Sequence, residues 1–142
     1  MPIDNDGDAL KKLHARMVDT LAGYEEGIEK TENAEVAAFF ERFRSMRAQH
    51  AGELDTTLRA AGLQPQNDGS WMTYVHEGIM KVRSAFGTLD RSVKDDVVRG
   101  EQAILDLYDE ALDAARGEPQ AHATLARQAA ELRTEIGRSS TG

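Results

Sequence analysis

The sequence predicts an all-α protein, built as a bundle of four long helices with one shorter helix between the second and the third. Apolar residues recur every three or four positions over long stretches, which places them on one face of an α-helix. Only three of the 142 residues are proline, and runs of β-branched residues are few, which disfavours a β-sheet. A chain of this length is expected to form one domain, here over residues 8–137, with flexible ends at 1–7 and 138–142.

The first helix is expected from Asp8, a residue suited to an N-cap, to about Lys30. Its apolar stripe is Leu10, Leu13, Met17, Leu21, Tyr24 and Ile28. A short link over 31–33 then makes the first two helices antiparallel neighbours.

The second helix is expected over 34–61, because Asn33 suits an N-cap and Gly62, followed by Pro65, suits a stop. It carries His50, the only polar side chain that the pattern places deliberately in a core. The stripe of this helix is Val36, Phe39, Phe40, Phe43, Met46, His50, Leu54, Thr57 and Leu58.

The clearest loop covers 62–69 and is followed by a shorter helix over 71–86 that ends at Gly87. A third long helix is expected from Ser92 to Arg116, and a fourth from Pro119, which suits a first helical position, to about Ile136. The shorter helix would be roughly 24 Å long, enough to carry the chain back along a bundle. This favours the ferritin-like arrangement with one long crossover, and a simple meander of five helices stays open.

Composition excludes several classes of function. The formal net charge of −8 disfavours nucleic acid, whose binding depends on neutralised phosphates. The absence of cysteine excludes disulfides and thiol catalysis and fits a reducing compartment, so a cytoplasmic location is expected. There is no secretory signal pattern and no apolar run long enough to span a membrane. Neither a nucleophile motif nor a phosphate-binding glycine loop is present, so no enzymatic activity and no catalytic residue is predicted.

Five glycines lie inside the predicted helices, where each costs about 1 kcal/mol relative to alanine. Gly23 and Gly27 are one turn apart and predict a smooth strip against a neighbouring helix or a second subunit. The alternative is that a stable bundle simply tolerates them. The five are Gly23, Gly27, Gly52, Gly78 and Gly100.

Four segments resemble an uncharacterised bacterial family of ferritin-like four-helix bundles, which carry a domain of unknown function and are loosely described as stress-associated. The segments are AGYEEGIEKTENAEVAAFFERF, RAQHAGELDTTLRAAG, RGEQAILDLYDEAL and AELRTEI, so that the resemblance covers about residues 8–137. It implies the ferritin-like fold and no particular activity.

A ferritin-type di-metal centre needs a Glu-x-x-His pair on each of two helices, because that spacing stacks both ligands on one face. Here the second helix has Arg47-x-x-His50 and the last has Glu131-x-x-Thr134, so both pairs are broken. No metal site or cofactor is therefore predicted, although a partial ligand set for one iron or manganese ion remains. That set is His50, Glu53, Glu101 and, from the first helix, Glu26 or its neighbour Glu25.

The simpler interpretation makes His50 a core histidine that is hydrogen-bonded to a carboxylate such as Glu53 or Glu101. Tyr24 and Tyr108 would then satisfy their hydroxyls on the same buried polar groups. The other three histidines, at 14, 76 and 122, are expected at the surface or at its boundary.

Two hypotheses follow for function. The first is a non-catalytic bundle that self-associates, with a homodimer expected, and acts through protein contacts in stress or envelope maintenance. The second is a degenerate ferritin-like metal binder or oxidase around His50, Glu53 and Glu101. The broken Glu-x-x-His pairs favour the first.

Overall fold

The computed structural model describes residues 7–63 and 93–141, and both segments are helical, without a β-strand in either. We label the helices α1 (Gly7–Lys30), α2 (Ala34–Ala60), α3 (Val93–Ala114) and α4 (Pro119–Thr141). The prediction of an all-α protein is thus confirmed. The expected shorter helix over 71–86, with His76 and Gly78, lies outside the described residues.

Local signals set the ends of α2 as predicted. The Asn33 side chain caps the helix by accepting from the backbone N–H groups of Glu35 and Val36, at 2.9 and 3.2 Å. At the other end Gly62 adopts φ +79°, and the Leu63 N–H bonds to the Leu58 carbonyl at 2.8 Å. This left-handed glycine and the bond five residues back form a Schellman motif, which ends the helix.

The predicted ends of the other helices differ slightly from the observed ones. Gly7 and Asp8 already lie within α1, so Asp8 is not its N-cap, and α3 ends at Ala114, before the expected Arg116. Pro119 is the first residue of α4, as predicted. However, α4 continues past Ile136 to Thr141, because a single glycine at 137 weakens a helix without ending it.

Each helix packs against two neighbours, in the order α1, α2, α4, α3 around the bundle. Two contacts show that α2 and α3 run in the same direction: Lys94 lies 3.8 Å from Glu35, and further along both helices Arg47 pairs with Glu101. The end of α2 and the start of α3 therefore lie at opposite ends of the bundle.

The pairs of helices that pack as neighbours are antiparallel. Arg42 on α2 faces Glu135 near the end of α4, whereas Glu53, later on α2, faces Arg127 near its start. Similarly, Tyr24 near the end of α1 packs on Phe40 near the start of α2. The four described helices thus form a bundle in which every neighbouring pair is antiparallel.

The predicted apolar stripes form the core. The same holds for α4, on which Leu125, Ala129, Leu132 and Ile136 are all buried. At one end of the bundle, α1 and α2 meet through an aromatic cluster whose ring centroids lie 5.3 to 5.7 Å apart for the Tyr24–Phe40, Tyr24–Phe43 and Phe39–Phe43 pairs. Ile28 and Met46 are half-buried at the edge of this core.

One of the helical glycines has a clear packing role within the chain. A Cβ built on Gly27 would lie 2.4 Å from Cε2 of Phe40, so α1 and α2 approach too closely there for any side chain. Gly52 and Gly100 are exposed, and a Cβ at either would meet no atom within 4 Å. Gly52 and Gly100 therefore fit the interpretation that a stable bundle tolerates helical glycines. Gly27 fits the interpretation that a glycine allows two helices to pack closely.

Candidate functional site

Polar side chains fill the centre of the bundle. Arg47 and His50 lie one turn apart on α2 and are 0 and 1 % exposed, and Glu101 from α3 is 1 % exposed. Such burial is costly for charged groups unless they are paired and hydrogen-bonded. The partners of these three residues therefore decide what the site can do.

The first group of contacts surrounds Glu101. Arg47 donates through one terminal nitrogen to Glu101 Oε1, and the Tyr24 hydroxyl donates to Glu101 Oε2, so both carboxylate oxygens are used. The other terminal nitrogen of Arg47 donates to Thr20 Oγ1 at 2.7 Å, and Thr20 in turn donates to the Met17 carbonyl at 3.0 Å. This group joins α1, α2 and α3 at one level of the bundle.

The protonation states of this group follow from its surroundings. Burial on its own would lower the pKa of Arg47, but the adjacent Glu101, together with Tyr24 and Tyr108, outweighs burial and the pKa is raised. Burial raises the pKa of Tyr24 well above its ordinary value, and Glu101 raises it further. Arg47 is therefore cationic and Tyr24 carries its proton at neutral pH.

The second group surrounds His50, one turn further along α2. Its Nε2 lies 2.7 Å from Glu131 Oε1 and its Nδ1 lies 3.5 Å from the Tyr108 hydroxyl. Tyr108 donates to Gln128 Oε1 at 2.9 Å. The Gln128 amide donates to the His50 carbonyl at 3.2 Å and to Glu53 Oε1 at 2.9 Å.

This second group reaches the surface through Glu131, whose side chain is 45 % exposed. Arg127 lies over it, 2.7 Å from Glu53 Oε1 and 3.3 Å from both oxygens of Glu131. The hydrogen bond from His50 is the main cause that lowers the pKa of Glu131. Glu131 and Glu53 are thus anionic at neutral pH and share Arg127 as a counter-ion.

The carboxylate partner of His50 differs from the expected one. Sequence reasoning favoured Glu53 or Glu101, whereas the observed partner is Glu131 on α4. Glu131 drew attention in the sequence only as part of Glu131-x-x-Thr134, a pair that lacks the histidine required by a ferritin-type metal site. Glu131 belongs to a cross-helix pair in which the histidine comes from α2.

Three of the candidate metal ligands are engaged with other protein groups. Glu101 binds Arg47 and Tyr24, Glu53 binds Gln128 and Arg127, and His50 binds Glu131, while Glu26 is 8 % exposed on α1. Within 7–63 and 93–141, no three His, Cys, Asp or Glu residues lie together in a group that could hold a metal ion. What lies at the centre is an ion pair with two hydroxyl partners.

The prediction that His14 lies at the surface or its boundary was wrong. His14 is 3 % exposed and lines a small cavity of about 90 Å³ together with Ala48, Ala51, Gly52 and Asp55 of α2. Neighbouring helices cover more of α1 than its apolar stripe, so a residue beside that stripe is also buried. Burial lowers the pKa of His14 below 6.5, against the opposing effect of Asp55, whereas His122 is exposed, as predicted.

We expect the free energy of unfolding to fall as the pH drops below 6.5. Burial lowers the pKa of both His14 and His50 from 6.5, so below that value the unfolded chain binds more protons than the folded one. Urea denaturation at about pH 7.5 and about pH 5.5 measures the loss. In the His14→Gln variant, the stability lost between the two pH values should be smaller than in the parent. His122→Gln is the control, because His122 is exposed. An equally smaller loss in His122→Gln would show that the buried histidines are not the cause.

Comparison with known proteins identifies one family. A family model described as a domain of unknown function, DUF2383, matches residues 6–114, which is most of the chain and includes α1, α2 and α3. No significant match exists among curated proteins or among solved structures. In the part of the chain that the structure describes, no helix is long and apolar enough to cross a membrane.

Proposed function

We propose that this chain, which belongs to the DUF2383 family, is a non-catalytic helical bundle of ferritin-like architecture that acts through protein contacts. The ferritin-like part is supported by the order of the helices and by the shared direction of α2 and α3. In bundles with one long crossover, the second and third helices run in the same direction. The absence of cysteine supports the cytoplasm as the location.

The contact between Arg47 and Glu101 carries the proposal that the bundle lacks a catalytic metal. An arginine keeps its charge at any ordinary pH, and this one is fully buried against the carboxylate. A metal ion on the same oxygens would have to displace both the guanidinium and the Tyr24 hydroxyl, and it would face the displaced positive charge in a buried place. The protein therefore supplies internally the positive charge that a metal would supply in a ferritin-type centre.

Self-association as a homodimer is part of the proposal, although Gly23 and Gly27 do not support it. Both residues are buried, and Gly27 packs on Phe40 of the same chain, so an interface between copies would use other surfaces. A role under stress is supported only by the resemblance of the sequence segments.

Metal analysis of protein purified without chelators tests the non-catalytic proposal. We expect iron and manganese far below one ion per chain. A nearly stoichiometric content that is lost in His50→Ala and kept in His122→Ala would overturn the proposal and favour the metal-binding alternative. The second variant is the matched control because it removes an exposed imidazole.

Light scattering coupled to size exclusion tests the assembly. The expected mass is twice that of the chain over a tenfold range of protein concentration. A monomer throughout that range would refute the proposed dimer and leave the metal question untouched.

A further inference from the structure

The Gln128 side chain fixes the direction of the hydrogen bonds around His50. Its amide nitrogen contacts the His50 carbonyl and a Glu53 carboxylate oxygen, which can only accept. The amide must therefore donate to both, and Oε1 must point to the Tyr108 hydroxyl, at 2.9 Å. Oε1 can only accept, so the single Tyr108 proton is committed to Gln128.

This leaves the two ring nitrogens of His50 in unequal positions. Nε2 lies 2.7 Å from a Glu131 oxygen and has to donate to it, so the neutral ring carries its proton on Nε2. Nδ1 then directs a lone pair at the Tyr108 oxygen, 3.5 Å away, which has no proton left to give. In the neutral ring Nδ1 and the Tyr108 oxygen thus face each other with no proton between them, and a proton on Nδ1 gives this contact a donor.

We propose that His50 is a proton-operated switch in the centre of the bundle, in which a second proton binds at Nδ1 and creates a hydrogen bond to the Tyr108 oxygen. The neutral ring links α2 to α4 through Glu131. The doubly protonated ring links α2 to α3 as well. Acidification thus adds a cross-link between helices at a side chain that is almost fully buried.

Charged groups from α2, α3 and α4 act on this switch. On α2, Arg47 opposes the second proton and Glu53 favours it; on α4, Glu131 favours it and is itself shared with Arg127. From α3, Tyr108 offers the acceptor and Glu101 pairs with Arg47, while Tyr24 of α1 donates a hydrogen bond to Glu101. Burial is the largest influence, and it lowers the pKa of His50 below 6.5.

Nitrogen-15 NMR of the histidine rings during a pH titration tests the switch on the intact chain. The His50 signals are assigned by their loss in His50→Gln, and exposed His122 gives a reference in the same spectrum. We expect the neutral His50 ring to carry its proton on Nε2, and the Nδ1 signal to move on acidification. A neutral ring protonated on Nδ1 would overturn the proposal.

The Tyr108→Phe variant distinguishes an acceptor from a donor at Nδ1. Loss of an acceptor destabilises the charged ring, so the midpoint of the His50 titration should move to lower pH. A midpoint that moves up or stays would overturn the proposal, since a tyrosine that donates to Nδ1 stabilises the neutral ring. Glu131→Gln, at a half-exposed position, should also move the midpoint of the His50 titration to lower pH. An unchanged midpoint in this variant would overturn the proposal too. This variant provides the test if Tyr108→Phe does not fold.

Discussion

Replacing Arg47 with methionine is expected to destabilise the bundle by about 3–5 kcal/mol, the usual cost of removing one partner of a buried ion pair. Methionine has a similar length and fills most of the space, so packing accounts for little of the loss. The main cause is the Glu101 carboxylate, which is 1 % exposed and, among the residues that the structure describes, would keep only the Tyr24 hydroxyl as a partner. Urea denaturation followed by far-UV circular dichroism measures the change.

Arg44→Met is the matched control on the same helix. Arg44 pairs with Glu41 one turn away, at 2.6 Å, but this pair is exposed to solvent, so its loss should cost about 0–1 kcal/mol. Equal losses for the two variants would show that the buried pair has no special weight.

The triple variant Arg47→Met, Glu101→Leu and Tyr24→Phe separates charge from packing. It removes the whole charged group around Glu101 and leaves none of its ions buried, so much of the stability lost in Arg47→Met should return. A triple variant that is less stable than Arg47→Met would mean that the ion pair stabilises the bundle in itself. If the triple variant still unfolds cooperatively, the ion pair is not needed for a unique fold.

The fold was predictable because its signals are local. Asn33 marks a helix start by its side chain, and Gly62 and Pro119 mark helix ends by their backbone conformation. The stripes between these ends follow from a period of 3.6 residues. The last helix was predicted to end at about Ile136, but the single Gly137 does not stop it. No proline or second glycine reinforces it before Thr141, so the helix continues.

The partners in the site were harder to predict because they depend on the relative height of helices distant in sequence. Arg47 and Glu101 are 54 positions apart, and His50 and Glu131 are 81 apart. Spacing along one helix shows which face a residue occupies, but it does not show which residue of another helix lies at the same level. The ferritin-type metal motif shows that Arg47 stands in the place of a glutamate ligand. It does not show that Arg47 pairs with Glu101.

Gly27→Ala is expected to destabilise the bundle although alanine is the better helix former. A Cβ at this position would lie 2.4 and 2.6 Å from two atoms of the Phe40 ring, and Phe40 is fully buried among aromatic neighbours. Overpacking of this kind costs about 1–3 kcal/mol. The gain in helix propensity, about 1 kcal/mol, offsets only part of it.

Gly100→Ala is the matched control, because it places the same methyl group inside a helix where no atom lies within 4 Å. This variant should be more stable than the parent by up to about 1 kcal/mol, so the two substitutions differ in sign. A rise in stability for Gly27→Ala as well would refute the close packing.

The origin of the cost can be assigned by a double-mutant cycle with Phe40→Leu. A leucine side chain is smaller than the phenyl ring and leaves room for the new methyl group, so Gly27→Ala should cost less in the Phe40→Leu background than in the parent. An unchanged cost would place the strain elsewhere. A change in mass by light scattering in Gly27→Ala, with the monomer fold intact, would instead assign this glycine to an interface between copies.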